Sequence, residues 1–306
     1  MPGEAAGTLM GAPAFNLDPA QVRRAFRRAA RENADAAVLE REVERRMVER
    51  LDFIHCNPER ILDAGCGAGR GLELLRRRYP KANLLGVDLA LPPACRHAGL
   101  PLLARARRLL RRPERFRLGA DFSRLPLRAG SVDMVWSNLA LAWAADPLAA
   151  LREFHRVLAV DGLLMFSSYG PDTLKELKGA FAAASGHRHV HAFIDMHDLG
   201  DMLVASGFSA PVMDMEMFTL TYADAAALAR DLKASGQTCA ARDRQRGLMG
   251  RGAWQRMLAA YERERRDGKL PATVEVVYGH AWKGEARARP DGGQVVKMEM
   301  RTKIKR

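Results

Sequence analysis

The sequence predicts an α/β fold: a doubly wound, mostly parallel sheet of seven strands with an antiparallel last strand, and helical lid segments at the N-terminus and in an insert. Three observations predict it. Strand-length apolar runs alternate with helix-length amphipathic ones through the middle of the chain. The run Ile61-Leu62-Asp63-Ala64-Gly65-Cys66-Gly67-Ala68-Gly69 is followed nineteen residues after its last glycine by Asp88, the spacing of a βαβ unit. The chain closes with two β segments, near 211–221 and 273–283, around a helical insert of about 223–270. A connection that long lets the final pair run antiparallel.

The elements follow in order. Residues 1–20 are rich in Ala, Gly and Pro and read as a flexible N-terminus. Asp18-Pro19 is an N-cap followed by proline at the first helical position, opening a basic helix through Val22, Phe26 and Ala29. Val38, Leu39, Val43, Met47 and Leu51 keep helical spacing and predict a second helix over about 35–52, which Asn57-Pro58 breaks. The first strand then runs into Asp63 and the glycine turn, a helix covers 71–78, and a second strand ends at Asp88. Residues 91–113 hold four prolines and an arginine-rich stretch, 104–112, that reads as a surface helix and loops. A short strand, 116–120, leads to Asp121-Phe122, and another, 131–138, ends in Ser137-Asn138-Leu139. Asp146-Pro147 caps a helix through Val157; Asp161-Gly162 turns into a strand over 163–168; Gly170-Pro171-Asp172 opens a helix over 173–184. A helix over 198–206 stops at Gly207, a C-cap. No internal repeat is visible, and residues 21–284 read as one domain with a charged tail, 285–306.

The chemistry starts at the glycine turn. Gly65, Gly67 and Gly69 let the backbone turn tightly and let a ligand approach with no Cβ in the way. Asp88, at the end of the second strand, can accept hydrogen bonds from two ribose hydroxyls. A dinucleotide fold satisfies this much as well. Asp63, just before the glycines, would repel a pyrophosphate but suits the cationic amino-acid end of S-adenosylmethionine. At the third strand's end, Asp121 can take an adenine amine and Phe122 can pack on the base; the same pair also suits an ordinary turn with a core Phe. The tip at Ser137-Asn138 faces the cofactor side of an open sheet, where turn and cap roles serve it equally. His187, His189 and His191 alternate, with His197 near, but no cysteine or carboxylate is placed to complete a tetrahedral metal site.

Composition sets outer bounds. The chain has 306 residues, 48% of them hydrophobic, as in ordinary soluble globular proteins. No apolar run approaches the ~20 residues of a membrane helix, and the first twenty residues lack a signal peptide's basic flank and apolar core. Cys56, Cys66, Cys95 and Cys239 form no C-x-x-C pair and read as reduced thiols in a cytoplasmic protein. The net charge of +13 is carried largely by arginine clusters. Many must be solvated helix faces; the rest imply an acidic partner, protein or nucleic acid. The clusters hold no interleaved stacking aromatics, which counts against RNA.

With these motifs in place, the chain resembles the class I S-adenosylmethionine-dependent methyltransferases over about residues 21–283, a Rossmann-like family. Within them it is most similar to the malonyl-acyl carrier protein O-methyltransferases of biotin synthesis. The general motifs are Asp63 to Gly69, Asp88 and Asp121-Phe122. The narrower ones are Ser137-Asn138-Leu139-Ala140-Leu141, Gly170-Pro171-Asp172-Thr173-Leu174-Lys175-Glu176-Leu177, Phe193-Ile194-Asp195-Met196-His197-Asp198, Asp231-Leu232-Lys233 and Tyr278-Gly279-His280-Ala281-Trp282. The resemblance implies S-adenosyl-L-methionine as cofactor, held by Asp63, Gly65, Cys66 and Gly67 at one end. Asp88, Asp121 and Phe122 would hold the ribose and base, and Leu89 and Asn138 are further cofactor-binding positions. It implies methylation of the free carboxylate of a malonyl thioester on an acidic acyl carrier protein, so that chain elongation toward pimeloyl can proceed. Two positions depart from the family pattern: Asn33-Ala34 where Tyr-Asp is usual, and Ala142 where Gln often precedes the Trp, here Trp143.

Such a reaction needs no general base, because a malonate carboxylate is already ionised at neutral pH. The work is alignment with water kept out, helped by an arginine on the carboxylate. Arg242, Arg244 and Arg246 in the insert are the candidates, with Trp143 as pocket wall; for each arginine a solvated helix face is the competing role. No catalytic residue is assigned. Other readings share the motifs: a methyltransferase for another small carboxylic acid or for RNA, or an assembly factor that keeps the cofactor fold without methyl transfer.

Overall fold

A computed structural model of the chain describes residues 16–32, 38–91 and 115–285. The arginine-rich stretch 104–112, Cys95, the Asn33-Ala34 position, residues 1–15 and the tail from 286 lie outside the described residues.

Seven strands make one sheet among the described residues: β1 Arg60–Ala64, β2 Asn83–Asp88, β3 Arg115–Gly119, β4 Val132–Ser137, β5 Leu158–Tyr169, β6 Ser209–Tyr222 and β7 Leu270–Trp282. Their order is β3-β2-β1-β4-β5-β7-β6. The pairs from β3 to β5 are parallel, and β7 runs antiparallel between β5 and β6. The helices are α1 Pro19–Glu32, α2 Val38–Arg50, α3 Arg70–Arg78, α4 Pro147–Val157, α5 Lys175–Ala182, α6 Met196–Ala205, α7 Ala225–Ala234 and α8 Arg251–Glu262.

Period-two alternation explains why both faces of the central strands are apolar. Along β1, Leu62 and Ala64 enter one core, with Phe154 of α4 and Leu199 of α6, while Ile61 enters the other, with Val43 and Met47 of α2 and Leu72 of α3. A third core joins α5 and α8 through Leu177, Met257 and Tyr261. The local stop and start signals act as the sequence implies. Asp18 accepts from the N–H groups of Ala20 and Gln21, and Asp146 from Ala149. Gly207, at φ 91°, ends α6.

Two expectations change. Asp161-Gly162 does not precede the fifth strand but lies inside β5, with Asp161 at φ 60°. The register passes from Val132↔Leu158 to Met134↔Leu163, so residues between Leu158 and Leu163 are thrown out as an irregularity while the strand continues. The insert is helical only at its two ends; between α7 and α8, residues 235–250 have no helix.

Helix α2 is seated across the far edge of the sheet by charge. Arg46 meets Glu216 at 2.6 Å, and Arg50 meets Asp214 at 2.6 Å and Glu216 at 2.9 Å. Arg50 also lies 3.8 Å over the Tyr278 ring. Helix α1 is tied to the insert loop by Asp18 N–H to the Ala240 carbonyl and by Arg242 N–H to the Asn16 carbonyl. Helix α2 thus packs on one face of the sheet, and its first half, with α1, reaches the cavity at the carboxyl ends of the parallel strands.

Candidate active site

The strand order reverses between β1 and β4, and there the connections leave in opposite directions and open a crevice. A cavity of about 300 Å³ fills it. Its floor is the glycine turn after β1 and the tips of β2, β3 and β4; its roof is α1 and α2, with Tyr169 and Gln237 closing one side.

All nine positions expected to hold the cofactor line this one cavity: Asp63, Gly65, Cys66, Gly67, Asp88, Leu89, Asp121, Phe122 and Asn138. Trp143 lines it too, edge-on to Phe26 of α1 at 5.1 Å and to His191 at 4.7 Å. The glycines divide their work more sharply than the sequence suggested. A Cβ on Gly67 would meet nothing within 4 Å, so its backbone is open to a ligand. A Cβ on Gly65 would strike Ala140, and one on Gly69 would strike the Arg117 guanidinium, so these two make room for the protein itself. Gly65 and Gly69 stand at φ 91° and 86°, where a side chain is strained.

Asp88 is held by the loop it faces: Oδ2 accepts from Gly67 N–H at 2.9 Å and Oδ1 from Ala90 N–H at 2.6 Å. Burial raises its carboxyl above the ordinary range, and these two N–H groups pull it back. Asp121 and Phe122 fill both roles considered for them. Asp121 Oδ1 accepts from Ser123 N–H and Phe122 packs on Phe154, yet both line the cavity. Ser137 is structural, its hydroxyl donating to the Ala64 carbonyl. Asn138 is used twice within the chain, donating to the Glu40 carbonyl at 3.0 Å and accepting from Ser167 Oγ at 2.8 Å. Leu139, next along this tip, sits at φ 53°, a strained conformation at the cavity wall.

The acidic floor holds more than the sequence reading found. Glu44 of α2 is 6% exposed and lines the cavity beside Asp63, which is 3% exposed. Burial pushes the Glu44 carboxyl up to about 7, against the pull of Arg70. Burial, then the charges of Glu44 and Asp88, hold Asp63 far above the usual carboxylate range, opposed by Arg117. Glu40, one turn before Glu44, is raised by burial, and the Gln237 amide donates to it. The legible signal was an acid at 44 inside the apolar stripe of Leu39, Val43 and Met47, with another acid four residues before it.

The insert arginines are placed elsewhere. Arg242 donates to the Leu17 carbonyl at 3.2 Å, and Arg244 pairs with Asp18 at 3.2 Å. None of Arg242, Arg244 and Arg246 lines the cavity; Arg23, Arg41 and Arg70 do. The loop that carries all three holds the start of α1 through Arg242 and Arg244. Arg244 and Arg246 instead line a neighbouring concavity with Arg24 and Arg188. The histidines separate as well. His189 stacks on Phe181, and His191 is buried, pushed down to about 4, and accepts from Ala240 N–H. Among the described residues no three His, Cys, Asp or Glu side chains stand together as a metal would need. Cys56 and Cys239 are free thiols, and no helix of the described residues is long and apolar enough to cross a membrane.

Such a cavity suits a ligand cationic at one end, against Asp63 and Glu44, and carrying a flat apolar group and hydroxyls at the other. The comparisons agree in kind. A family described as "Methyltransferase domain" matches residues 62–166. The chain is 55% identical to a protein of Laribacter hongkongensis named malonyl-acyl carrier protein O-methyltransferase, over 92% of this chain and 96% of that one. It is 48% identical to a protein of the same name from Gallionella capsiferriformans, over 94% and 99%. Among solved structures it is similar to YcgJ of Bacillus subtilis, with TM-score 0.51 and 15% identity over 78% of this chain and 98% of that one. A methyltransferase-like protein of Bacillus halodurans gives TM-score 0.52 and 14% identity over 79% and 99%. At that identity the two structures speak for the fold.

Proposed function

Since the chain belongs to the malonyl-acyl carrier protein O-methyltransferase family, we propose that it transfers the methyl group of S-adenosyl-L-methionine to the free carboxylate of a malonyl thioester on an acyl carrier protein. The reaction is an early step of biotin synthesis, and a cytoplasmic one. The observation that carries the reading is the convergence of the two motif acids and the open Gly67 on one cavity at the sheet's switch point.

The residues fit the cofactor. Asp63 Oδ2 is buried with no hydrogen-bond partner among the described residues, which a cationic amino-acid end would supply. Asp88 presents a carboxylate already oriented by two backbone donors, suited to ribose hydroxyls. Asp121 and Phe122 are at hand for the base, and Leu89 gives an apolar wall. When bound, the cofactor supplies a methyl group already activated by sulfonium charge.

The protein's part is alignment and exclusion of water. Trp143, Phe26 and His191 pack edge to face and close the wall beside the acceptor. The acceptor carboxylate enters on the α1–α2 side, where Arg23 and Arg41 line the cavity. It is ionised near pH 7, so no side chain is required as base. The outer face of α1 carries exposed Arg24, Arg27 and Arg28 beside the concavity of Arg188 and Arg246. This is the surface for an acidic carrier, steered by charge.

Two measurements test the reading. Incubation with methyl-labelled cofactor and malonyl-carrier protein should give a base-labile methyl ester on the carrier; label on added RNA, or no label with cofactor bound, would overturn it. Rising salt should raise KM for malonyl-carrier protein much more than for malonyl-coenzyme A. Equal sensitivity would remove the basic face as a carrier site.

A further inference from the structure

Glu44 is not required by the fold that surrounds it. The ion pairs that seat α2 are made by Arg46 and Arg50, and its neighbours Leu39, Val43 and Met47 fill the core as apolar side chains. A glutamate at this depth is costly unless something charged meets it. Its placement is specific. Glu44 Oε1 and Asp63 Oδ2 lie 2.7 and 2.8 Å from one point, the position a Cβ on Gly71 would take, and Trp136 Nε1 lies 3.4 Å from it. Trp136 is beside Asp63 by register, since β4 pairs with β1 through Asp63↔Trp136. Asp63 Oδ2 and Trp136 Nε1 have no hydrogen-bond partner among the described residues. Helix α2 and strand β1 therefore bring two carboxyl groups to a spot that glycine alone leaves open.

Two carboxyl groups that face one point in a buried floor, with no hydrogen bond between them, do not both hold charge near neutrality; a proton on one of them or a cation beside both must offset it. We propose that Glu44 and Asp63 form a single ammonium site that keeps a proton when empty and releases it to solvent when the cationic amino-acid end of the cofactor enters. The inference rests on the reading of this cavity as the S-adenosylmethionine site. One proton leaves for each cation bound, so the charge of the floor stays constant and no buried net charge is created. The surrounding groups decide how firmly the proton is held. Asp88 on β2 adds negative charge, which favours retaining it; Arg70 on α3 and Arg117 on β3 oppose it, and Glu40 and Arg41 of α2 line the same cavity. Burial of both carboxyls tips the balance to the protonated pair, in line with their raised values.

The test is calorimetric titration of the whole protein with S-adenosylhomocysteine, which keeps the amino-acid end, and with methylthioadenosine, which lacks it. Runs at about pH 7.5 in phosphate and in Tris, whose ionisation enthalpies differ, count the protons released. Wild type should release most of one proton per S-adenosylhomocysteine and none with methylthioadenosine. Glu44→Gln should bind S-adenosylhomocysteine about tenfold or more weakly, release far less of a proton, and bind methylthioadenosine as wild type does. Glu44→Asp, which keeps an acid on a shorter arm, should retain proton release. Heats independent of buffer in wild type, or an unchanged S-adenosylhomocysteine affinity in Glu44→Gln, would overturn the shared site while leaving the cavity reading in place. Failure of wild type to bind either nucleoside would remove the cavity reading and the inference with it.

Discussion

Replacing Glu44 by glutamine should make the cofactor-free protein more stable at alkaline pH and leave it nearly unchanged in acid. In the unfolded chain this carboxyl titrates near its ordinary 4.5; in the fold it is raised to about 7, chiefly by burial. Between those values the native state holds a proton that the unfolded chain has lost, so native stability declines as pH rises through the window. The contribution is complete below the unfolded value and gone above the folded one. At about 1.36 kcal/mol per pH unit, the difference amounts to about 3 kcal/mol by pH 8. The side chain is 6% exposed, so solvent screens little of this. Glutamine keeps the shape and has nothing to ionise, so the variant should lack that decline. Asp63 acts in the same direction: without the Glu44 charge its own carboxyl ionises at less cost. The assay is urea unfolding of both proteins from about pH 5 to pH 8, with equal m-values as the check that the same surface unfolds. Two stability curves that run parallel across that range would refute the reasoning, because they would mean that Glu44 titrates as an ordinary solvated acid.

Three further outcomes are expected. Asp88→Ala should weaken S-adenosylmethionine binding by about 1–3 kcal/mol in titration calorimetry, since the carboxylate both faces the cavity and holds the Gly67 N–H; unchanged affinity would remove it from the site. Gly65→Ala should cost about 1–3 kcal/mol in backbone strain alone, because φ is 91° and the new methyl would meet Ala140, and denaturant unfolding should show it. With saturating cofactor, single-turnover methyl transfer should be flat from about pH 6 to pH 8, as a carboxylate acceptor is ionised throughout. A tenfold rise per pH unit would show that a proton must first be removed from the acceptor, and would move it to the hydroxyl or amine class.

What the sequence determined by itself was whatever a few neighbouring residues decide. Caps at Asp18 and Asp146 and the stop at Gly207 depend on backbone groups within a turn, and the structure uses each of them as the spacing implies. The path from Asp63 through the glycines to Asp88 is similarly local, because one strand, one turn and one helix have fixed lengths, so Asp63, Gly65, Cys66, Gly67 and Asp88 could be named from it, and all five line one cavity. The tertiary structure decided what depends on distant partners. Arg242 and Arg244 looked like a free basic face, but they hold Leu17 and Asp18, just before α1 and more than two hundred positions away in sequence. Asp161-Gly162 looked like a turn before a strand, and pairing with β4 made it an irregularity within one. Glu44 was not among the candidates named from the sequence. Its environment exists only because α2 is clamped across the sheet by Glu216 and lowered onto Asp63, and burial, the term that sets a carboxyl's charge, is a property of the whole packed fold.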